Sequence, residues 1–254
     1  MELNYKQFGQ GEPIIILHGL FGTLDNWQTI AKRLAKNYMV YIIDQRNHGK
    51  SPHSDEFSYP ILADDLKHFM ESKWMYKANI IGHSMGGKTA MQFALMYPDM
   101  VEKLVIVDIA PKAYRGGHQD IFEAMLGLDL DNLTDRQAID EQLKIKIPED
   151  GVRLFLMKNL AREKDGGYRW KMNLSVLYKE YQAILAKVDS EDTFDEATLF
   201  IRGENSKYIK DDDVLDIQDL FPMMQLQTVE KAGHWVHAEN PKSFLVKLND
   251  FFSA

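Results

Sequence analysis

Ala78-Asn79-Ile80-Ile81-Gly82-His83-Ser84-Met85-Gly86-Gly87 decides how this chain is read. A short apolar run stops at a Gly-x-Ser-x-Gly step, and residues 88–97 follow at once with helical period. A serine between a strand and a helix, with glycine two positions before and after it, marks a sharp, strained turn that admits no bulky neighbour. Such a turn lifts the Ser84 hydroxyl above the sheet. It also sets the residue at a helix start, where backbone N–H groups and the helix dipole favour negative charge. Gly86, Gly87, Ala90 and Ala94 let the helix lie close on the sheet. The five-residue pattern alone arises by chance, and a glycine-rich turn with an inert serine is the competing reading. The strand–turn–helix setting is what makes Ser84 a candidate nucleophile.

Outward from this turn, short apolar runs recur at 14–17, 39–44, 104–108, 198–201 and 226–229, with the run at 79–81 among them. Several are continuous and β-branched rather than alternating, as in strands buried on both faces of a parallel sheet. Helix-period segments such as 27–34 and 88–97 lie between them. The alternation predicts an α/β fold with a doubly wound, mostly parallel sheet. At the end of the chain Asn240 caps a helix, Pro241 fits its first turn, and Phe244, Leu245, Leu248 and Phe252 share one face.

The rhythm breaks between Pro111 and Asp195, where no strand is expected. Thr134-Asp135-Arg136-Gln137 reads as a capping box, and Leu174, Leu177, Tyr178, Tyr181, Leu185 and Val188 form an apolar helical stripe. The expected organisation is a core of residues 1–110 and 196–254 with a helical cap inserted at 111–195. At the carboxyl ends of the strands such an insertion covers the crevice where ligands bind. Packing helices without contact to substrate are the alternative.

A nucleophilic serine needs partners. Ile14-Ile15-Ile16-Leu17-His18-Gly19-Leu20-Phe21-Gly22 is a strand ending in His-Gly. Acyl transfer builds negative charge on a carbonyl oxygen, which calls for donors fixed in advance. The backbone N–H groups of Met85 and Leu20 are the candidates for this oxyanion hole. His18 and His83 read as structural. The candidate general base is His234 in Lys231-Ala232-Gly233-His234-Trp235-Val236-His237, after the last expected strand, because around such a turn the chain order is nucleophile, acid, base. His237 is its competitor.

The acid is less direct. The loop after 198–201 reads Arg202-Gly203-Glu204-Asn205-Ser206, so Ser206 stands where an aspartate is expected. Asp211, Asp212 and Asp213 form a charge run that reads as a solvated helix start. Asp108 ends the run Leu104-Val105-Ile106-Val107-Asp108, where an ionised group is costly unless paired. A histidine that becomes imidazolium is such a partner, and the acid fixes its tautomer. Asp108 is therefore preferred, against the simpler role of capping the next turn.

Composition sets outer limits. With 45% apolar and 27% charged residues, the 254-residue chain has the balance of a folded globule rather than a disordered one. A formal net charge of -8 argues against nucleic acid as the main partner. The absence of cysteine excludes disulfides, thiolate metal sites and a cysteine nucleophile. Met1 to Lys6 carry no signal-peptide pattern and no apolar stretch reaches the ~20 residues of a membrane span, so a cytoplasmic location is expected.

Five segments together resemble the α/β-hydrolase superfamily and, within it, the small YbfF-type esterases: His18-Gly19-Leu20-Phe21-Gly22, Asp44-Gln45-Arg46-Asn47-His48-Gly49-Lys50-Ser51, Gly82 to Gly87, Val107-Asp108-Ile109-Ala110-Pro111 and Gly233-His234-Trp235-Val236-His237. The resemblance covers essentially the whole chain. It implies a triad of Ser84, Asp108 and His234, a helical cap, and hydrolysis of esters or thioesters, acyl-CoA-like substrates included. It implies no metal and no organic cofactor. A serine at 84 argues against haloalkane dehalogenases and epoxide hydrolases, which require an aspartate there. Phe21, Trp235 and Met85 are expected in an apolar acyl pocket. Lys112 and Arg115 are placed to meet a phosphate-bearing leaving group such as coenzyme A. Another reaction of the same triad (carbon–carbon bond hydrolysis or perhydrolysis), or a ligand receptor on the same scaffold, remains the alternative. Acyl length and oligomeric state stay open.

Overall fold

A computed structural model describes residues 1–133, 135–164 and 166–253. In chain order the first elements are β1 (Tyr5–Phe8), β2 (Pro13–Leu17), α1 (Gln28–Leu34), β3 (Met39–Ile43), α2 (Tyr59–Ser72), β4 (Ala78–His83), α3 (Met85–Met96) and β5 (Val101–Val107). After a long excursion come β8 (Thr198–Gly203), α9 (Val214–Leu220), β9 (Met224–Val229), α10 (Val236–Glu239) and α11 (Pro241–Ser253). The seven strands form one sheet in the order β1-β3-β2-β4-β5-β8-β9. All neighbours are parallel except β1, which runs antiparallel to β3 with Tyr5 opposite Ile43.

The continuous apolar runs have a simple cause. Successive side chains leave a strand on opposite faces. Ile15, Leu17, Ile80, Leu104 and Ile106 enter one core with Leu66 and Phe69 of α2 and Phe93 and Ala94 of α3. Ile14, Ile16, Ile81, Val105 and Val107 enter the other with Ile30 and Leu34 of α1 and Phe244 and Leu248 of α11. Both faces are covered, so a polar residue at these positions has to find a hydrogen-bond partner inside, as Asn79 and Thr198 do.

Local differences from the sequence reading have local reasons. Strand β1 was not expected: Tyr5-Lys6-Gln7-Phe8 lies at the sheet edge, with Lys6 and Gln7 exposed, and so lacks an apolar run. In α11 it is Phe251, not Phe252, that is fully buried with Phe244 and Leu248; Phe252 is half-buried against Tyr38. Asn240 does accept the Ser243 N–H, at 3.2 Å. Among the described residues, no helix is long and apolar enough to cross a membrane.

Strands β5 and β8 are direct neighbours, Leu104 facing Thr198, yet the chain between them makes a separate layer. It contains α4 (Gln119–Leu126), α5 (Arg136–Lys144), α6 (Asp150–Met157), β6 (Leu160–Arg162), β7 (Tyr168–Trp170), α7 (Leu174–Lys179) and α8 (Tyr181–Leu185). The antiparallel β6–β7 pair contradicts the expectation of no strand here; at three residues each, its strands are too short to show a period. The expected capping box falls partly on Thr134, which lies outside the described residues; Asp135 caps α5, accepting the Ala138 N–H at 2.8 Å. The 174–188 stripe breaks at Glu180 into α7 and α8, which leaves Tyr178 exposed, while Val188 joins the core beneath the sheet rather than this layer. Phe122, Ile139, Leu156 and Leu177 form a third cluster that closes on Phe21, Tyr59 and Met85 of the core. Polar contacts also cross the seam: Asn173 N–H to the Asn47 carbonyl (2.8 Å), Asn159 Nδ2 to the Phe21 carbonyl (2.5 Å) and Tyr59 hydroxyl to the Ile184 carbonyl (2.6 Å).

Candidate active site

Ser84 sits between β4 and α3 with φ 52° and ψ -119°, a region costly for any residue with a side chain. Its N–H donates to the Val107 carbonyl at 3.0 Å, and its own carbonyl receives the Gly87 and Lys88 N–H groups. The two flanking glycines are sterically required. A Cβ on Gly82 would overlap the Gly86 carbonyl, and one on Gly86 would stand 2.5 Å from the His18 carbonyl. The turn is thus wedged against the end of β2.

The loop after β2 closes with the Gly22 N–H donating to the Gly19 carbonyl at 2.9 Å and Phe21 at φ 59°. It runs against the serine: a Cβ on Gly19 would lie 3.1 Å from Ser84 Cβ. Among the described residues, neither Leu20 N–H nor Met85 N–H donates a hydrogen bond within the protein. These two donors flank the Ser84 side of the cavity described below.

Besides His118, which borders the cavities described below, five of the eight histidines gather here, and hydrogen bonding separates their roles. His18 Nε2 accepts the Gln45 N–H at 3.0 Å, so Nδ1 carries the proton and donates to the Gly19 carbonyl at 2.8 Å. Burial pushes it down to about 4, with both ring nitrogens occupied. His83 Nε2 donates to the His234 carbonyl at 2.9 Å, and burial, reinforced by His234 and His237, holds it well below its ordinary value. His237 lies flat on Trp27, ring centroids 4.0 Å apart, and is pushed to about 3 by burial. His48, also pushed to about 3 by burial, packs edge-on to His18.

His234 alone meets a carboxylate. Its Nδ1 donates to Asp108 Oδ2 at 2.7 Å, which leaves Nε2 as the nitrogen able to take a proton. Asp108 is fully buried, at φ 53° just past β5, with its N–H bound to the Ile201 carbonyl at 2.8 Å. The Gly203 N–H donates to its Oδ1 at 3.1 Å and the Ser206 hydroxyl to its Oδ2. Ser206, in the slot where an acid was expected, therefore donates to the carboxylate that comes from the neighbouring strand. Tyr208 stacks on the His234 ring at 3.8 Å between centroids. Ser84 and His234 face one cavity, with no hydrogen bond between them at 3.5 Å or less; contacts of this kind often tighten only with substrate bound.

Two cavities meet at Ser84. The smaller, about 220 Å³, is walled mainly by Tyr59, Met85, Tyr114, Tyr181, Ile184 and Leu185. The larger, about 710 Å³, contains His234 and runs past Phe21, Phe155 and Trp235. Leu20, His118 and Tyr208 border both. The single acyl pocket expected from the sequence is thereby divided: Met85 lines the smaller cavity, Phe21 and Trp235 the larger. Lys112 and Arg115 line neither. Lys112 Nζ is held by both oxygens of Asp213 at 2.6 Å, so it is not free to meet a phosphate. The same pair corrects the reading of 211–213 as solvated, since Asp213 is buried and only Asp212 stands clear of partners among the three. The tyrosines, His118 and Lys88 were missed from sequence. Lys88 alone left a trace there, as the single charge in the twelve residues of α3.

The buried imidazoles carry a pH signature. His18, His48 and His237 have folded values of about 4, 3 and 3 against an ordinary 6.5. As pH falls below 6.5 the unfolded chain takes up protons that the native state refuses, so stability drops from 6.5 down to about 4 for His18 and about 3 for the other two. Each group steepens the fall by up to about 1.4 kcal/mol per pH unit. Guanidinium unfolding at pH 7.0, 5.5 and 4.5 is expected to show midpoints falling in that order; an unchanged midpoint would contradict the assignment of these rings as neutral.

Comparison with known proteins agrees with this architecture. The family model described as alpha/beta hydrolase fold matches residues 12–241. A marine microorganism esterase of known structure superposes with TM-score 0.97 at 44% identity, covering 98% of this chain and 99% of that one. Esterase YbfF of Escherichia coli strain K12 is 36% identical over the full length of both chains. The sn-1-specific diacylglycerol lipase ABHD11 of Danio rerio is 39% identical, over 99% of this chain and 82% of its own. With a model match across most of the sequence and identity at this level from end to end, the chain belongs to the α/β-hydrolase fold family.

Proposed function

We propose that the protein is a serine esterase that cleaves carboxylic esters through an acyl-enzyme on Ser84. The observation that carries this reading is the buried Asp108–His234 hydrogen bond, which commits Nδ1 and turns Nε2 toward the cavity that also holds Ser84. In the first step His234 Nε2 takes the hydroxyl proton, Ser84 Oγ bonds to the substrate carbonyl carbon, and the N–H groups of Leu20 and Met85 bind the oxyanion. The carbon–oxygen bond to the alcohol then breaks and His234 returns the proton to the leaving oxygen. In the second step water, deprotonated by His234, attacks the ester carbon, and Ser84 leaves with the proton. Asp108 holds the tautomer and stabilises the imidazolium that forms twice per cycle.

Because His234 must reach the leaving group, the alcohol belongs in the larger cavity and the acyl chain in the smaller. At about 220 Å³ the acyl side falls short of the ~300–1,000 Å³ of drug-sized ligand sites, which favours short acyl chains. Residues 111–195 act as the cap over both. The commitment of Lys112 to Asp213 favours esters of uncharged alcohols over acyl-CoA thioesters. The names of the three similar proteins above, two esterases and a diacylglycerol lipase, support ester cleavage.

A panel of p-nitrophenyl esters from acetate to palmitate, with acetyl- and palmitoyl-CoA beside it, tests the substrate reading. The expected result is a short-chain optimum for esters, with kcat/KM at palmitate lower by a factor of ten or more and little turnover of the thioesters. Fluorophosphonate labelling, mapped to Ser84 by mass spectrometry, tests the nucleophile; an unlabelled protein would instead favour a receptor on a hydrolase scaffold.

A further inference from the structure

Lys88 is one turn beyond Ser84, and its backbone N–H donates to the Ser84 carbonyl at 3.1 Å. It is 2% exposed. An ammonium withdrawn from water is expensive unless each of its three donors is used. Here the partners are main-chain carbonyls: Lys112 at 2.9 Å, Leu185 at 3.2 Å, and Ala186. The ring of Tyr114 lies 4.9 Å from Nζ and that of Tyr59 5.7 Å. The three carbonyls belong to two separate segments. Lys112 is where the chain leaves β5 for the 111–195 layer, and Leu185 and Ala186 are where it comes back. Leu185 ends α8, so its carbonyl has no partner inside the helix and sits at the negative end of the dipole. The same two segments bind each other through the Tyr114 N–H to the Leu185 carbonyl at 2.9 Å and the Val188 N–H to the Pro111 carbonyl at 2.7 Å.

We propose that Lys88 is a positioning residue whose ammonium ties both connections of the 111–195 layer to the helical turn that carries Ser84, and so sets the width of the smaller cavity. The effect on substrate rests on reading that cavity as the acyl site; the effect on the two connections does not. A three-donor head matches three converging carbonyls, whereas methionine offers no donor and the planar fork of arginine has the wrong shape. Burial draws the ammonium down to about 7, so the full set of donors is present below that pH and one is lost above it. The other titratable groups facing the cavity are Tyr59 of α2, Tyr114, His118 and Tyr181 of the inserted layer, and Lys207 and Tyr208 after β8. Burial raises the four phenols and lowers His118 to about 4, and the Lys112–Asp213 pair lies just outside.

Hydrogen exchange on the full-length protein, as wild type and Lys88→Met, tests the tie. Protection of the Tyr114 and Val188 amides is expected to fall roughly tenfold or more in the variant, as for loss of a charge-assisted hydrogen bond. Protection of the Ser84 and Asp108 amides, which donate to the strand carbonyls of Val107 and Ile201, should hold within about twofold on the same argument. For an ester that fills the smaller cavity, KM should rise several-fold with kcat changed far less. Unchanged protection at the two connections, or an equal loss there and in the sheet, overturns the proposal. Should Lys88→Met not fold, Lys88→Gln, whose shorter amide cannot reach all three carbonyls, is measured in the same way, and unchanged protection at Tyr114 and Val188 relative to Ser84 and Asp108 overturns the proposal equally. An unaltered KM beside loosened connections would remove the acyl-site reading and leave the tie intact.

Discussion

Ser84→Ala is expected to lower kcat for a p-nitrophenyl ester by at least roughly 10⁴-fold while leaving the fold in place. Alanine keeps the Cβ and carries the same backbone strain at φ 52° as serine does, and the Ser84 hydroxyl is not among the groups that hold the turn together. Thermal unfolding should therefore shift little. On the proposed route, what disappears is the oxygen that forms the covalent bond. Residual turnover above the buffer rate is expected on the same route, because the proposed oxyanion donors, Leu20 and Met85 N–H, and the two cavities would still bind the carbonyl and orient it for water. Steady-state rates and circular dichroism on the same preparation check both halves. Activity within tenfold of wild type would sink the acyl-enzyme route.

Asp108→Asn is expected to cost a comparable factor, on the order of 10⁴ in kcat, by a different physical route. The carboxylate accepts from His234 Nδ1, Gly203 N–H and the Ser206 hydroxyl, and offers no donor. An asparagine amide keeps its oxygen on Gly203 and turns its NH₂ toward His234. Nδ1 must then accept, so the ring proton moves to Nε2, where a base is needed. The imidazolium also loses its counter-charge. Asp212→Asn is the control: Asp212 is exposed and should stay within about twofold of wild type, as surface changes do. A larger loss from Asp212→Asn than from Asp108→Asn would reassign the acid.

The pairing of Asp108 with His234 shows how much of such a contact a sequence carries. The loop after β8 lacks a suitable aspartate and β5 ends in one, and both facts lie in the linear order of residues. What the order does not contain is the use of Ser206, whose hydroxyl meets Asp108 across 98 residues of chain. Nor does it contain Tyr208, which follows Ser206 by two positions and covers the face of His234.

Two kinds of information were legible without coordinates. One is the solvent demand on each strand: continuous apolar runs can only be satisfied by a sheet covered on both faces, which fixes the α/β layering. The other is short-range sterics: glycines at 82 and 86 permit one kind of turn, and the serine between them has to project above the sheet. Both depend on residues a few positions apart, so a sequence carries them whole. The cavities depend on the opposite. Their walls draw on Tyr59, Lys88, Tyr114, Tyr181 and Tyr208, residues from five separate parts of the chain. Apart from Lys88, the lone charge in α3, no local pattern marks such residues, because each is ordinary in its own segment. Only the sheet order β4-β5-β8-β9 and the return of the inserted layer bring them together. The sequence alone determined the parallel strands of the sheet (though not its edge strand β1), the strained turn at Ser84, and the candidates for its partners. Tertiary structure decided that Asp108 and His234 lie 2.7 Å apart, that Lys112 is already spent on Asp213, and that Phe21 and Trp235 border the larger cavity rather than the smaller. Contacts made across a fold follow from its topology, and the neighbours of a residue in the chain do not encode that topology.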